Sequence, residues 1–340
     1  MRIITSVGYY GTGSSAVTDY LKEFSNISLA GKGSYEIRFV QDPDGISDLA
    51  YHVVEDNHRH NTSHAIKRFI KYLKFLNGGL FTKRYRKFFG EQFLSLSMNY
   101  VNSIVELESK TWWHYDQIEK GKFFYTMDIA YGKLSRMFRT EGGKSLLKGR
   151  EKAYYTSIDK DEFYTITKQY LDTLFEQANV RKTPNIIVEQ LVPPSNAGRY
   201  LQFFNDLKII VVERDPRDVY ISSRDVYDEG IIPAETVEEF CKWYKITRKH
   251  RDYEPKNDNV LFIQFEDFVY HYRKTAKKIN EFLGLDEKDH IEKRKYFDPN
   301  RSIKGTRQYL NNQKYVQDVA YIEKELERYL YTDYDMEADI

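Results

Sequence analysis

Arg2-Ile3-Ile4-Thr5-Ser6-Val7-Gly8-Tyr9-Tyr10-Gly11-Thr12-Gly13-Ser14-Ser15 is the stretch whose reading decides the fold. Arg2 to Val7 is an apolar run short enough for a buried strand, and Gly8 to Gly13 form a glycine-rich turn. Beyond it Ala16, Val17, Tyr20, Leu21 and Phe24 recur at helical spacing. Strand, glycine turn and helix together open a βα unit. The turn has the frame G-x-x-x-x-G-x-[ST] in the context that phosphate binding requires. Glycines let the chain curl so that its N–H groups converge on an anion, and the helix start adds partial positive charge. The candidate anion-binding residues are therefore Tyr10, Gly11, Thr12, Gly13, Ser14 and Ser15, the two serines also offering hydroxyls and a helix cap. Nucleoside triphosphatases carry a lysine where this chain has Ser14, so the loop suits a ligand with fewer phosphates in line.

Outward from the turn, a second strand is expected within Ile27 to Val40. Residues 52–181 change character: rich in Lys, Tyr and Phe, without proline, and helical in period, they read as a mostly helical insertion. Strand patterns return at Asn185 to Glu189, Leu207 to Val212 and Val260 to Phe265. A helix over Tyr272 to Leu283 should stop at Gly284, and a last helix should run from Val316 to Tyr331. Short apolar strands alternating with helices predict an α/β, three-layer P-loop fold with a central parallel sheet. One domain is expected, with 1–50 and 182–310 as the nucleotide-binding core, 52–181 as an acceptor-side insertion and 311–340 as a C-terminal helix.

The strand ending at Val212 leads into Glu213-Arg214-Asp215-Pro216-Arg217-Asp218-Val219-Tyr220-Ile221-Ser222. Arg214 falls at the carboxyl end of a strand, where ligands bind in open α/β sheets. Pro216 suits a helix start, and Ser222 follows on the helix. Guanidinium and hydroxyl can close on one phosphate from two sides, a buried charge-assisted contact worth about 1.5–3 kcal/mol. Arg217 and Asp218 read as an ordinary solvated pair.

Arg-x-Pro-Arg-Asp-x-x-x-Ser after a hydrophobic strand resembles the 3′-phosphate motif of the sulfotransferases that use 3′-phosphoadenosine 5′-phosphosulfate (PAPS). The turn at Gly8 to Ser15 is similar to that family's 5′-phosphosulfate loop. Phe262 to Phe268, followed by Ile279 to Leu285, resembles a strand-EDL-helix-FLG segment, and Arg301-Ser302-Ile303-Lys304-Gly305-Thr306-Arg307 resembles the late loop that closes over the nucleotide. The resemblance implies sulfuryl transfer to a hydroxyl or amine of a glycan or small molecule, with PAP as product and no metal. It adds Lys304, Gly305 and Thr306 to the cofactor-binding residues, and it gives Glu266-Asp267 a structural role where spacing alone would also allow a magnesium site.

A base must take the acceptor's proton. Glu36 is the first candidate, similar in position to the glutamate in the Glu-x-His-Phe element of glycan sulfotransferases, with Arg38 replacing the histidine. Glu189 is second. It lies near the catalytic histidine of simpler family members, where this chain has Gln190. His52 is third, on its natural pKa. Many members carry a lysine at the position of Gly11; Lys32, Arg38 or a residue of the insertion would have to supply that cation.

With 52 basic and 51 acidic side chains the net charge is +1, which argues against a general nucleic-acid binder. Cys241 is the single cysteine, so no internal disulfide or thiolate-rich metal site forms, as suits a reducing compartment. The first residues do not read as a signal peptide, and no apolar run approaches a membrane span, so a soluble cytoplasmic protein is expected. The 29 tyrosines read mainly as half-buried packing. His58, His60 and His64 lack a clear metal-ligand frame. Lys67, Arg68, Lys71 and Lys74, interleaved with Phe69, Ile70, Leu73 and Leu76, read as an amphipathic helix with a basic face. An acidic-glycan surface or peripheral membrane contact is the minority reading of that face. A nucleotide-dependent kinase and a non-catalytic PAP- or nucleotide-binding protein are the rival functions.

Overall fold

The structure, a computed structural model, describes residues 1–31, 36–79, 82–137, 144–226 and 230–335. Its chain divides into two compact units. One comprises 1–41, 87–89 and 171–340; the other comprises 42–86 and 90–170.

The first unit is built on a five-stranded, all-parallel sheet. Among the described residues the strands of the molecule are β1 (Arg2–Gly8), β2 (Ile27–Leu29), β3 (Leu107–Ser109), β4 (Ala153–Tyr155), β5 (Asn185–Glu189), β6 (Leu207–Glu213) and β7 (Val260–Gln264). The sheet order is β2-β5-β1-β6-β7. β1 is central and pairs on one side with β5 (Arg2 with Asn185) and on the other with β6 (Ile3 with Leu207). Nearly every residue of β1 and β6 is buried, the signature of a parallel sheet covered on both faces. The helix Ser14–Lys22 buries Ala16, Val17, Tyr20 and Leu21, which join Ile4, Phe24, Phe268 and Ile279 in one core. A second core gathers Val219, Phe240, Tyr244 and Ile322 around the helix Pro216–Asp225. The helix Tyr272–Leu283 ends at Gly284 in the left-handed conformation, as its sequence requires.

Three expectations need correction. The second strand stops at Leu29. Of the expected stretch, 32–35 lie outside the described residues, and the chain rejoins the sheet as a single bridge between Glu36 and Glu189. The last helix ends at Glu325 and continues only as a 3-10 turn, Glu327–Tyr329. The cap of the helix Ser14–Lys22 is Gly13, not a serine. Its φ of 84° is a left-handed conformation that needs glycine.

The second unit is helical with one two-stranded antiparallel ribbon, β3 with β4, that periodicity did not reveal. The helix Arg59–Asn77 buries Ile66, Phe69, Ile70 and Leu73. Tyr100 stacks on Tyr170 with ring centroids 4.5 Å apart, and their hydroxyls bond Thr167 and Ser97. Lys71 and Lys74 lie on the exposed, polar face of the helix Arg59–Asn77.

Candidate functional site

At the carboxyl end of β1 the chain turns through Tyr10 (φ 66°), Gly11 (φ 65°) and Gly13 (φ 84°). A Cβ on Gly13 would lie 2.7 Å from the Phe265 ring, so glycine there meets a packing need as well as a conformational one. The loop, the ends of β5 and β6, and the segment 296–308 line one cleft of about 720 Å3 within the first unit. Tyr10, Gly11, Thr12, Gly13, Ser14, Ser15, Glu36, Glu189, Arg214, Ser222 and Gly305 all line it.

Arg214 is the keystone. It is only 7% exposed. Its Nη1 donates to the Gly11 carbonyl at 2.8 Å, and its Nη2 donates to Ser222 Oγ at 3.2 Å and to the Gly305 carbonyl. One guanidinium thus ties together the glycine loop, the helix Pro216–Asp225 and the late loop. Its Nε is buried without a hydrogen-bond partner, as is Thr12 Oγ1. Orphaned buried donors are costly and point to a ligand that accepts from them.

Behind Arg214 lies a buried acidic cluster. Asp215 caps the helix start by accepting from the Arg217 backbone N–H at 2.8 Å, and its carboxylate pairs with the Arg217 guanidinium at 2.6 Å. Asp218 accepts from the backbone N–H groups of Arg307 and Gln308, both at 2.8 Å, pinning the late loop. Burial pushes its carboxyl up to about 6, opposed by the Arg214 charge. Arg217 and Asp218 are therefore not a solvated pair: both are buried, and each bonds elsewhere. Glu266 is wholly buried and accepts from the Asp215 N–H at 2.9 Å. Burial first, with the Asp215 charge adding to it, pushes its carboxyl up to about 8.

The candidate bases differ in setting. Glu36 is exposed, with Arg38 Nη1 3.4 Å away, while Arg38 Nη2 donates to the Tyr10 hydroxyl at 3.1 Å. Glu189 is half-buried. Burial raises its carboxyl pKa, opposed by a hydrogen bond with Thr18 and by the Lys22 charge. His52 belongs to the second unit, where Asp48 and Asp56 flank its ring at 3.9 and 3.7 Å. Lys32 lies outside the described residues. Lys304 is exposed and Thr306 is buried, its hydroxyl engaged with Tyr270 and the Ile303 carbonyl; neither lines the cleft.

Sequence reasoning missed Gln190, Phe265, Arg301 and Gln308, which also line the cleft. Gln190 sits at φ 55°, and its side chain reaches Ser14 Oγ at 3.1 Å. Gln308 donates to Ser222 Oγ at 3.3 Å. No residue type announces such bridging roles; only the positive φ of a non-glycine residue marks Gln190. Among the described residues no group of His, Cys, Asp and Glu could hold a metal ion, and no helix is long and apolar enough to cross a membrane.

Residues 121–289, just under half of the chain, match a sequence profile described as the sulfotransferase family. The match includes Arg214 and Ser222 and begins inside the stretch first read as an insertion. The glycine loop lies outside it. No curated protein matches. Similar solved structures include the sulfotransferase STF9 from Mycobacterium avium (12% identity over 99% of this chain and 77% of that one, TM-score 0.38). The sulfotransferase domain of the Synechococcus PCC 7002 olefin synthase is also similar (14% identity, 98% and 94%, TM-score 0.39). A third is mouse sulfotransferase SULT7A1 complexed with PAP (17%, 46% and 70%, TM-score 0.29). The profile match runs through Arg214 and Ser222 at the end of β6, so over 121–289 this chain is similar to the sulfotransferase family.

Proposed function

We propose that the cleft of the first unit takes PAPS and that the enzyme moves its sulfuryl group to a hydroxyl or amine of a glycan or small-molecule acceptor. The observation that carries this reading is Arg214, which joins the glycine loop to Ser222 and Gly305 while keeping a buried, unpartnered Nε. PAPS supplies a sulfuryl group already activated on a phosphate leaving group. The backbone N–H groups of Gly11 to Ser15, with the orphaned Thr12 hydroxyl, suit the 5′ side of such a ligand. Arg214 and Ser222 suit its 3′-phosphate. Arg38, whose Nη2 donates to the Tyr10 hydroxyl, is a candidate to stand in for the lysine absent at Gly11. Glu189 is the preferred base, because burial raises its carboxyl pKa and makes it a better proton acceptor than an ordinary carboxylate, whereas Glu36 stands exposed beside Arg38. Metal is not part of this reading.

A thermal-shift panel of PAP, PAPS, ATP and GTP tests the reading, since a ligand bound only by the native state raises the melting temperature. PAP should stabilise the protein without added metal and more than ATP does. Stronger, magnesium-dependent stabilisation by ATP would instead identify a kinase.

A further inference from the structure

The second unit carries a cleft of its own, of about 260 Å3, that the donor chemistry leaves unexplained. Its walls come from the first turns of the helix Arg59–Asn77, the segment after β3, the helix His114–Glu119 and the β4 strand. We propose that this cleft binds a saccharide bearing a single acidic group, such as a hexuronate.

Three features carry the proposal. First, Trp112, Trp113 and Tyr115 line the cleft with 36%, 40% and 45% of their surfaces exposed. Large aromatic rings left in water on one concave surface mark a binding site rather than packing. Trp113 is held in place from one side: His60 stacks on it at 3.7 Å between centroids with the rings 12° apart. A sugar ring presents flat C–H faces that lie well on such rings and hydroxyl edges that need donors and acceptors.

Second, those donors and acceptors are present and fixed. Asp116, 7% exposed, accepts from Lys67 Nζ at 2.5 Å and from the Trp113 backbone N–H at 2.7 Å. Thr111 Oγ1 and the Tyr155 hydroxyl lie 3.2 Å apart. A lysine–aspartate pair beside two hydroxyls offers alternating donor and acceptor positions, as vicinal hydroxyls do.

Third, the charge balance limits the ligand. Lys67 is compensated by Asp116, and His64 has Glu119 at 3.5 Å. Arg59 pairs with no carboxylate among the described residues; its guanidinium lies 6.0 Å from the Trp113 ring centroid. His60 is held below its ordinary pKa by partial burial and by the positive charge of Arg59, so it stays neutral at physiological pH. One uncompensated cation suits one carboxylate or sulfate on a sugar. It does not suit the several phosphates of a nucleotide, for which a glycine loop or a cationic cluster would be needed.

The proposal deepens the acceptor half of the reading above, and its test reads binding alone, without donor. The purified protein is titrated with a hyaluronan disaccharide, which joins one glucuronate to one N-acetylglucosamine. Neutral chitobiose and maltose serve as comparisons, and calorimetry and tryptophan fluorescence as readouts. The acidic disaccharide should bind most tightly. Trp112→Ala should weaken every sugar that binds by about tenfold or more, as stripping an aromatic platform does. Arg59→Ala, an exposed position whose loss leaves folding intact, should weaken the acidic sugar by about fivefold, in line with loss of one charge-assisted contact, and leave neutral sugars unchanged. Melting curves with PAP distinguish a misfolded Trp112→Ala protein from one that has lost only sugar binding. Absence of binding for all three sugars, or equal binding by wild type and both variants, overturns the proposal whatever PAP does. Loss of PAP stabilisation with sugar binding intact overturns the donor reading instead.

Discussion

Arg214 and Glu36 line the same cleft under opposite physical conditions. Arg214 is buried, shares its hydrogen bonds among three chain segments, and is backed by Asp215, Asp218 and Glu266. Glu36 is exposed, joined to β5 by a bridge with Glu189, and has Arg38 3.4 Å away. A preorganised, desolvated charge gives affinity, because its geometry is set before the ligand arrives. An exposed pair gives little, because water screens it. Glu189 lies between these extremes: half-buried, hydrogen-bonded to Thr18, and raised in pKa. Under the proposed function, donor binding falls to the Arg214 side and proton transfer to Glu189, and the contrast orders the mutational effects.

The largest effect should fall on turnover. Glu189→Gln keeps size and hydrogen bonding but removes basicity, so kcat should drop by about 10²–10⁴ while PAP affinity is nearly kept. Glu36→Gln should cost no more than about fivefold, the ceiling for a screened surface pair. A screen for sulfate transfer from labelled PAPS supplies the acceptor for both assays. The reverse order, with Glu36 dominant, would break the comparison by showing that exposure does not disqualify a base in this cleft.

Affinity comes next. Arg214→Ala should weaken PAP by about 10- to 150-fold, the equivalent of a charge-assisted contact of about 1.5–3 kcal/mol. AMP, which lacks the 3′-phosphate, should lose far less. Equal losses for both ligands would show that Arg214 acts by holding the Gly11 and Gly305 carbonyls rather than a phosphate.

The remaining effect concerns stability against pH. Folding raises the Glu266 carboxyl to about 8 and that of Asp218 to about 6. The native state therefore binds protons that the unfolded chain has already released. The resulting stability is fully present below the unfolded carboxylate range near pH 4 and is lost as pH rises through the folded values. Melting temperature should decline between about pH 4.5 and 8, and Glu266→Gln, which carries no charge at either end, should flatten that decline by about half. An unchanged slope would place the pH dependence in other groups.

Much of the first unit was legible in the chain. β1, β5, β6 and β7 appear where apolar runs predict them, and Pro216 and Gly284 mark a helix start and a helix stop as their backbone chemistry demands. The sequence also singled out Tyr10 to Ser15, Arg214 and Ser222, and the structure brings them together along one cleft. Local rules sufficed there because strand period, glycine turns and strand-end placement depend on near neighbours in sequence. The β3–β4 ribbon was not legible: each strand has three residues, too few for an alternation to stand out.

The sequence by itself determined the parallel α/β architecture and the placement of the glycine turn and of Arg214 at strand ends, because each is encoded by a contiguous pattern. Only the tertiary structure decided the electrostatics. Arg217 and Asp218, adjacent in a polar stretch, look like a solvated pair in sequence. They are instead buried beneath the late loop, Arg217 bonded to Asp215 and Asp218 to the backbone of Arg307 and Gln308, about ninety residues on. Glu36 and Glu189 look alike as carboxylates in sequence, but Glu36 is exposed while Glu189 is half-buried, and burial raises the Glu189 pKa. Burial is a property of what packs around a side chain, and the atoms that bury these groups come from distant parts of the chain, where no local pattern records them.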